Sequence, residues 1–353
     1  MKRTRKIAVL CGGGTIAMKS SPDGLVPDPE FPARLEEYLA GEQQQHFLNR
    51  YFTVKCEIIP LNQAIDSTSA RPDTWLRLAE EVRRRREDYD GFVILHGTDT
   101  LAYSASALTW LLSGLKKSVI LTGAQSPFPS KGARNNILGA LNYASADYLN
   151  IRAVFFDRLL LNGATVQKVD ANGDQAFDSI NYDHWAKLAL QFNRNGDIHV
   201  RINSANVAVI DEAIRGRRLL RESDFLRHKP LDFQEGAVGL LHLTPALPES
   251  AYMPLLYDSQ VQMLILLSYG VGNVPQDRQL RQALLDAQAR GMKIYNLSQC
   301  QRGVTRPEAY AVGGGRLGLL SSDLPYEGLY TALHCQLAGE SSVYGETLQI
   351  HQP

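Results

Sequence analysis

The sequence predicts an α/β protein of two domains: a larger N-terminal one on a mainly parallel sheet flanked by helices, and a smaller C-terminal α/β one. Three observations predict it. Short apolar runs alternate with helix-length stretches over the first half of the chain. Those runs stop at glycines or hydroxyl-rich loops, as buried parallel strands do. The alternation weakens between about residues 193 and 236 and then resumes.

Taken in order, Ile7-Ala8-Val9-Leu10 is a short apolar run stopped by Gly12-Gly13-Gly14. Residues 72 to 86 read as a helix, with Trp75, Leu76, Leu78, Ala79 and Val82 on one side. Phe92 to Leu95 is a buried strand, Leu101 to Leu112 a helix and Val119 to Leu121 a further strand. After Gly236, Val238 to Leu241, Gln262 to Leu267 and Lys293 to Leu297 are strand-like, and Arg278 to Ala289 is a helix. The expected boundaries are 1–205 for the first domain, 206–235 for a linker and 236–353 for the second. In such a fold, ligands bind in the loops beyond the carboxyl ends of the strands.

Composition narrows the function. The chain has 353 residues, enough for one large core or two smaller ones, and 37 basic residues balance 37 acidic ones. No charge excess draws it to nucleic acid or to an anionic membrane. The run Arg83 to Arg86 is followed at once by Glu87 and Asp88 and reads as a solvated helix end. Neither the basic start nor the run Met263 to Leu267 has the apolar length of a signal core or a membrane span. Four scattered cysteines (Cys11, Cys56, Cys300 and Cys335) form no CxxC pair, which argues against zinc and a disulfide scaffold and for a reducing cytoplasm.

Three strand-exit loops carry hydroxyls and carboxylates. Gly12-Gly13-Gly14-Thr15 lets the backbone approach a ligand closely, and its N–H groups can bind a developing oxyanion. It lacks the third glycine of a dinucleotide fingerprint. By itself it serves equally as a glycine turn with Thr15 capping a helix. His96-Gly97-Thr98-Asp99-Thr100, taken alone, reads first as a cap, and so does Ile65-Asp66-Ser67-Thr68-Ser69 before Pro72. Together they offer more, because a threonine nucleophile needs a base and an oxyanion hole, and a lysine with a carboxylate beside it can be that base.

Gly13-Gly14-Thr15-Ile16-Ala17 with Gly91 to Thr100 resembles the paired signatures of the L-asparaginase family, in its cytosolic type I branch. Thr122 to Gln125, Ala176 to Tyr182, Ser268 to Asn273 and Asn296 to Cys300 also look like its members, so the likeness spans nearly the whole chain in order. The resemblance implies hydrolysis of the asparagine side-chain amide, without metal or cofactor, by a homodimer or dimer of dimers. It implies Thr15 as primary nucleophile and Thr98, Asp99 and Lys168 as a second triad. Asp66, Ser67 and Thr68 match the grip on the substrate's α-carboxylate and α-amino groups. Asp99 also matches an ammonium ligand, and the Ala124 carbonyl the acceptor for the amide nitrogen. The partner implied is a small amino acid.

The sequence also departs from that family. Its activating tyrosine falls at position 25 in the type I pattern, where this chain has Leu25. Gly132 and Ala332 stand where the family has an aspartate and a lysine, and no arginine accompanies the Thr165 to Lys168 segment. Leu25 removes a named chemical role and keeps two other readings open: a homologue that binds an amino acid without turning it over, and an enzyme for a different amide. A cysteine matching Cys300 belongs to an allosteric site in some type I members, but that site's arginine appears here as Leu267. Cys300 therefore reads as a buried small hydrophobe.

Overall fold

The computed structural model describes residues 2–61, 67–147, 149–182, 184, 186–192, 198–202, 232–306, 310 and 317–339. The chain divides into two compact units, Met1–His228 and Lys229–Pro353. Most of the expected linker, up to residue 231, lies outside the described residues.

In the first unit, β1 (Thr4–Cys11) leads through a 3-10 turn, Thr15–Ala17, into a hairpin of β2 (Met18–Ser21) and β3 (Gly24–Pro27). Helices α1 (Phe31–Ala40) and α2 (Glu42–Leu48) precede β4 (Thr53–Pro60), and α3 (Pro72–Arg84) precedes β5 (Gly91–Leu95). Then come α4 (Leu101–Leu111), β6 (Ser118–Thr122), α5 (Lys131–Ala144), β7 (Arg152–Phe156) and β8 (Leu159–Asn162). A two-stranded ribbon, β9 (Gln167–Lys168) and β10 (Phe177–Asp178), is followed by β11 (Ala186–Phe192) and β12 (Ile198–Ile202).

Eight strands form one sheet in the order β12-β11-β8-β7-β6-β5-β1-β4. The five from β4 to β7 are parallel and the remaining pairings are antiparallel. The chain reverses between β7 and β8 at Asp157 and Arg158, both at positive φ. Central strands β5, β6 and β7 are buried at every residue, which is why they read as continuous apolar runs instead of alternating ones. Ile7 and Val9 of β1 share a core with Phe31, Leu35 and Leu39 of α1 and Ile137, Leu138 and Leu141 of α5. Helix α4 is buried at every position but Tyr103, so it is apolar nearly all round. Each fully buried Phe or Leu stabilises the unit by roughly 1.5–3 kcal/mol.

Only Arg84 of the basic run at the end of α3 is well exposed. Arg83 donates to the Leu111 carbonyl, and Arg84 and Arg85 pair with Glu81.

The second unit is a four-stranded parallel sheet in the order of β13 (Val238–His242), β14 (Met263–Ser268), β15 (Lys293–Ser298) and β16 (Leu320–Ser321). Its helices are α6 (Glu249–Tyr257), α7 (Arg278–Ala289) and α8 (Tyr326–Ala338). Leu264, Leu266, Leu280, Leu284 and Ile294 make its core. The exits of β14 and β15 are tied by Ser268 Oγ donating to Asn296 Oδ1 (2.5 Å) and Asn296 Nδ2 donating to the Gly272 carbonyl (3.0 Å). Cys300 is exposed, not buried as its residue type suggests, because it leaves β15 in a turn where its N–H donates to Ser298 Oγ. All four cysteines are free thiols. Among the described residues no helix is long and apolar enough to cross a membrane.

Candidate active site

The loops after β1, β5 and β6 meet backbone against backbone, the Ser67 side chain of the 3-10 turn Ser67–Ser69 packs on Gly97, and glycines make this possible. Gly12 N–H donates to the Leu95 carbonyl (2.9 Å), carrying the β1–β5 pairing into the loops. Gly14 has φ +83°, and a Cβ there would lie 2.4 Å from Gly97 Cα. A Cβ on Gly97 would lie 2.3 Å from Ser67 Oγ, and one on Gly123 would lie 2.4 Å from the His96 carbonyl oxygen. Any larger residue would drive these segments apart.

His96 supports the loop from beneath. It is fully buried, and burial holds its pKa below the ordinary value, so the ring is neutral. Its Nδ1 lies 2.8 Å from the Gly97 carbonyl and its Nε2 3.0 Å from Ser104 Oγ of α4. Because a carbonyl only accepts, Nδ1 carries the proton and Ser104 donates to Nε2.

Neither threonine is a helix cap. Gly14 occupies the cap position before the Thr15–Ala17 turn, and Thr100 the one before α4. Thr15 is half-buried, and among the described residues no hydrogen bond engages its hydroxyl. Thr98 is buried, and Lys168 Nζ donates to its Oγ1 (3.0 Å) and to Asp99 Oδ1 (2.9 Å). The Asp99 and Lys168 side chains are 54% and 22% exposed, so the pair opens toward solvent from the Asp99 side.

Lys168 arrives on the ribbon β9–β10, where it stands opposite Phe177. The Phe177 ring packs against Phe156 at the end of β7, with centroids 4.8 Å apart. Thr165 Oγ1 donates to Ser179 Oγ (3.2 Å) across the same ribbon. Such an aromatic pair adds about 0.5–1.5 kcal/mol beyond its burial and fixes where the lysine points.

Gln125 is a further partner that its residue type alone does not announce. Thr98 Oγ1 donates to Gln125 Oε1 (3.3 Å), while Gln125 Nε2 donates to the Ala171 carbonyl (3.1 Å). Its sequence signals are its place two residues after Gly123 in a strand-exit loop and the family resemblance of Thr122 to Gln125. Ala124 is buried, and the loop is pinned by Asn136 Nδ2 donating to the Gly123 carbonyl (2.8 Å).

Ser67 is buried against Gly97, and its carbonyl accepts from Thr100 Oγ1 (2.7 Å), whereas Thr68 is exposed. Asp66 lies outside the described residues. Leu25 sits in the β2–β3 hairpin opposite Ser20, its side chain 46% exposed. Among the described residues no three His, Cys, Asp or Glu side chains converge as metal ligands would. Chemically, the site sets two hydroxyls on adjoining loops, one with an amine and a carboxylate beside it, as nucleophilic attack on a carbonyl requires.

Comparison with known proteins shows the family. The family model for the N-terminal part of asparaginases matches residues 6–204. L-asparaginase 1 of Escherichia coli K12 is 34% identical over 343 residues, covering 95% of this chain and 93% of that protein. The 60 kDa lysophospholipase of Homo sapiens is 30% identical over 330 residues, covering 89% of this chain and 54% of that protein. The crystal structure of L-asparaginase I from Vibrio cholerae matches with a TM-score of 0.76 at 26% identity, covering 98% and 97% of the two chains. The chain belongs to the asparaginase family and is an amidohydrolase.

Proposed function

We propose that the chain hydrolyses the side-chain amide of L-asparagine to L-aspartate and ammonia, with Thr15 as nucleophile. The observation that carries this reading is Lys168 Nζ bridging Thr98 Oγ1 and Asp99 Oδ1, on loops that Gly14 and Gly97 hold beside Thr15. Thr15 Oγ1 attacks the amide carbon, and the N–H groups of the Thr15 and Thr98 loops receive the oxyanion. The C–N bond then breaks, ammonia leaves with the proton taken from the attacking hydroxyl, and an aspartyl ester remains on Thr15. Water, activated through Thr98 and Lys168 with Asp99 beside them, cleaves that ester and restores the hydroxyl.

Asp66, Ser67, Thr68 and Asp99 hold the α-carboxylate and α-amino groups, and the Ala124 carbonyl accepts from the amide nitrogen. Two charged contacts on so small a zwitterion fix its carbonyl against a hydroxyl, and that orientation is a large part of the rate. The reaction needs no metal or cofactor. The protein works in the cytoplasm as a homodimer or dimer of dimers.

Crystals soaked with L-aspartate test this reading. Its side-chain carboxylate is expected against Thr15, with its α-groups on Ser67, Thr68 and Asp99. Aspartate bound with that carboxylate turned away from both threonines would refute it.

Leu25 supports a second reading. Leu25 is exposed and carries no hydroxyl where the family's activating tyrosine falls. Such a chain either binds an amino acid with little turnover or acts on an amide with a bulkier group. Thermal stabilisation by asparagine without ammonia release supports the first. Hydrolysis of an acylated or peptide amide, with free asparagine untouched, supports the second.

A further inference from the structure

We propose that Asp28 and Arg34 are positioning residues for Thr15, clamping the turn that carries it from both sides; this rests on the role proposed above for Thr15. Since the Thr15 hydroxyl has no hydrogen-bond partner among the described residues, its direction is set by the backbone of Thr15–Ala17. That backbone is held at two consecutive carbonyls. Asp28 N–H donates to the Ala17 carbonyl (2.9 Å), closing the foot of the β2–β3 hairpin. Phe128 N–H donates to the Ile16 carbonyl (3.1 Å).

One guanidinium joins the two anchors. Arg34 Nη1 donates to Asp28 Oδ2 (2.5 Å), and its Nη2 donates to the Phe128 carbonyl (3.1 Å). The same guanidinium carbon lies 5.8 Å from the centre of the Phe128 ring. Asp28's other oxygen accepts from Glu30 N–H (3.1 Å), and Lys19 Nζ stands 3.7 Å from it. The carboxylate is only 2% exposed, so it depends on these donors for the solvation it has lost. Between the anchors, Ile16 is fully buried in the core shared with Phe31 and Phe128. Arginine suits this place because two separate nitrogens of its rigid planar fork each reach one acceptor, where a lysine ammonium offers a single nitrogen on a flexible stem.

The test uses Arg34→Met, Arg34→Lys and Asp28→Asn in the full chain, each checked for a cooperative melt. Misplacing a reacting group by about an ångström costs about 10²-fold in rate. Arg34→Met is therefore expected to lower kcat by about that factor with KM within about threefold. Arg34→Lys should recover part of the loss. The second readout is trypsin cleavage after Lys19 in the hairpin, followed by mass spectrometry, which should quicken in Arg34→Met and Asp28→Asn while the rest of the chain stays resistant. If Arg34→Met does not fold, Asp28→Asn carries both readouts. A folded Arg34→Met or Asp28→Asn variant with kcat within twofold of the parent, or with cleavage after Lys19 unchanged, overturns the proposal. If the parent releases no ammonia from any amide, the proposed function falls, while the cleavage rates still judge the clamp.

Discussion

Lys168 Nζ lies 3.0 Å from Thr98 Oγ1 although seventy residues separate them along the chain. Loss of the amine in Lys168→Met, or of the hydroxyl in Thr98→Ala, should lower kcat by about 10²–10⁴-fold, the usual contribution of a proton-transfer group. Melting temperature should change little in Lys168→Met, since the side chain is partly exposed and methionine keeps its apolar stem. Steady-state kinetics beside a thermal melt checks both. A Lys168→Met enzyme within threefold of the parent would remove the lysine from the mechanism.

Gly14 gives a backbone prediction. An alanine there must hold φ near +83° and place its Cβ 2.4 Å from Gly97 Cα, and backbone on both sides leaves no flexible atom to yield. Gly14→Ala should destabilise the first unit by about 1–3 kcal/mol and abolish turnover. Gly24→Ala is the control for strain alone. Its φ is +108°, but nothing lies within 4 Å of a Cβ, so activity should persist there.

Leu25 makes the substrate chemistry testable. Leu25→Tyr places a phenol at that exposed position of the hairpin, so folding should not suffer. Asparagine turnover should rise about tenfold or more if the chain is an asparaginase short of its activator. Unchanged turnover would mean that another group assists Thr15.

Acid should weaken the fold through two buried histidines. Burial lowers His334 to about 4 and His96 also falls below its ordinary 6.5, so each remains neutral in the fold where the unfolded chain is protonated. The unfolded state then binds more protons, and stability drops as pH falls. For His334 the full contribution is present above 6.5 and is lost between 6.5 and about 4. Melts across that window should show a falling Tm, with a shallower slope in His334→Phe. An equal slope in the variant would contradict the assignment.

How far the sequence discloses this architecture depends on the kind of signal. Phe92–Leu95 and Val119–Leu121 are legible as strands because both faces of the parallel sheet are covered, and each lies within the observed β5 and β6. The helix expected over 72–86 ends two residues early, at Arg84. Edge strand β4 is not legible because Lys55 and Glu57 interrupt its apolar residues, as an edge partly facing solvent permits. The β2–β3 hairpin, Met18 to Pro27, has almost no apolar pattern to announce it.

Within the site, Thr15 and Thr98 stand out by their glycine-rich strand exits. Lys168 does not, since it reaches Thr98 only through the β9–β10 ribbon and the Phe177–Phe156 packing. Family resemblance pointed to it where residue chemistry could not. Asp28 and Arg34 leave no trace in the pattern either, because their tie to Phe128 spans elements distant in sequence.

Ammonia release from L-asparagine by the purified protein, measured beside Thr15→Ala and Thr98→Ala, tests the central claim most directly. The account predicts release by the parent and its loss in both variants. No release from asparagine by the parent, or undiminished release by either variant, would contradict it.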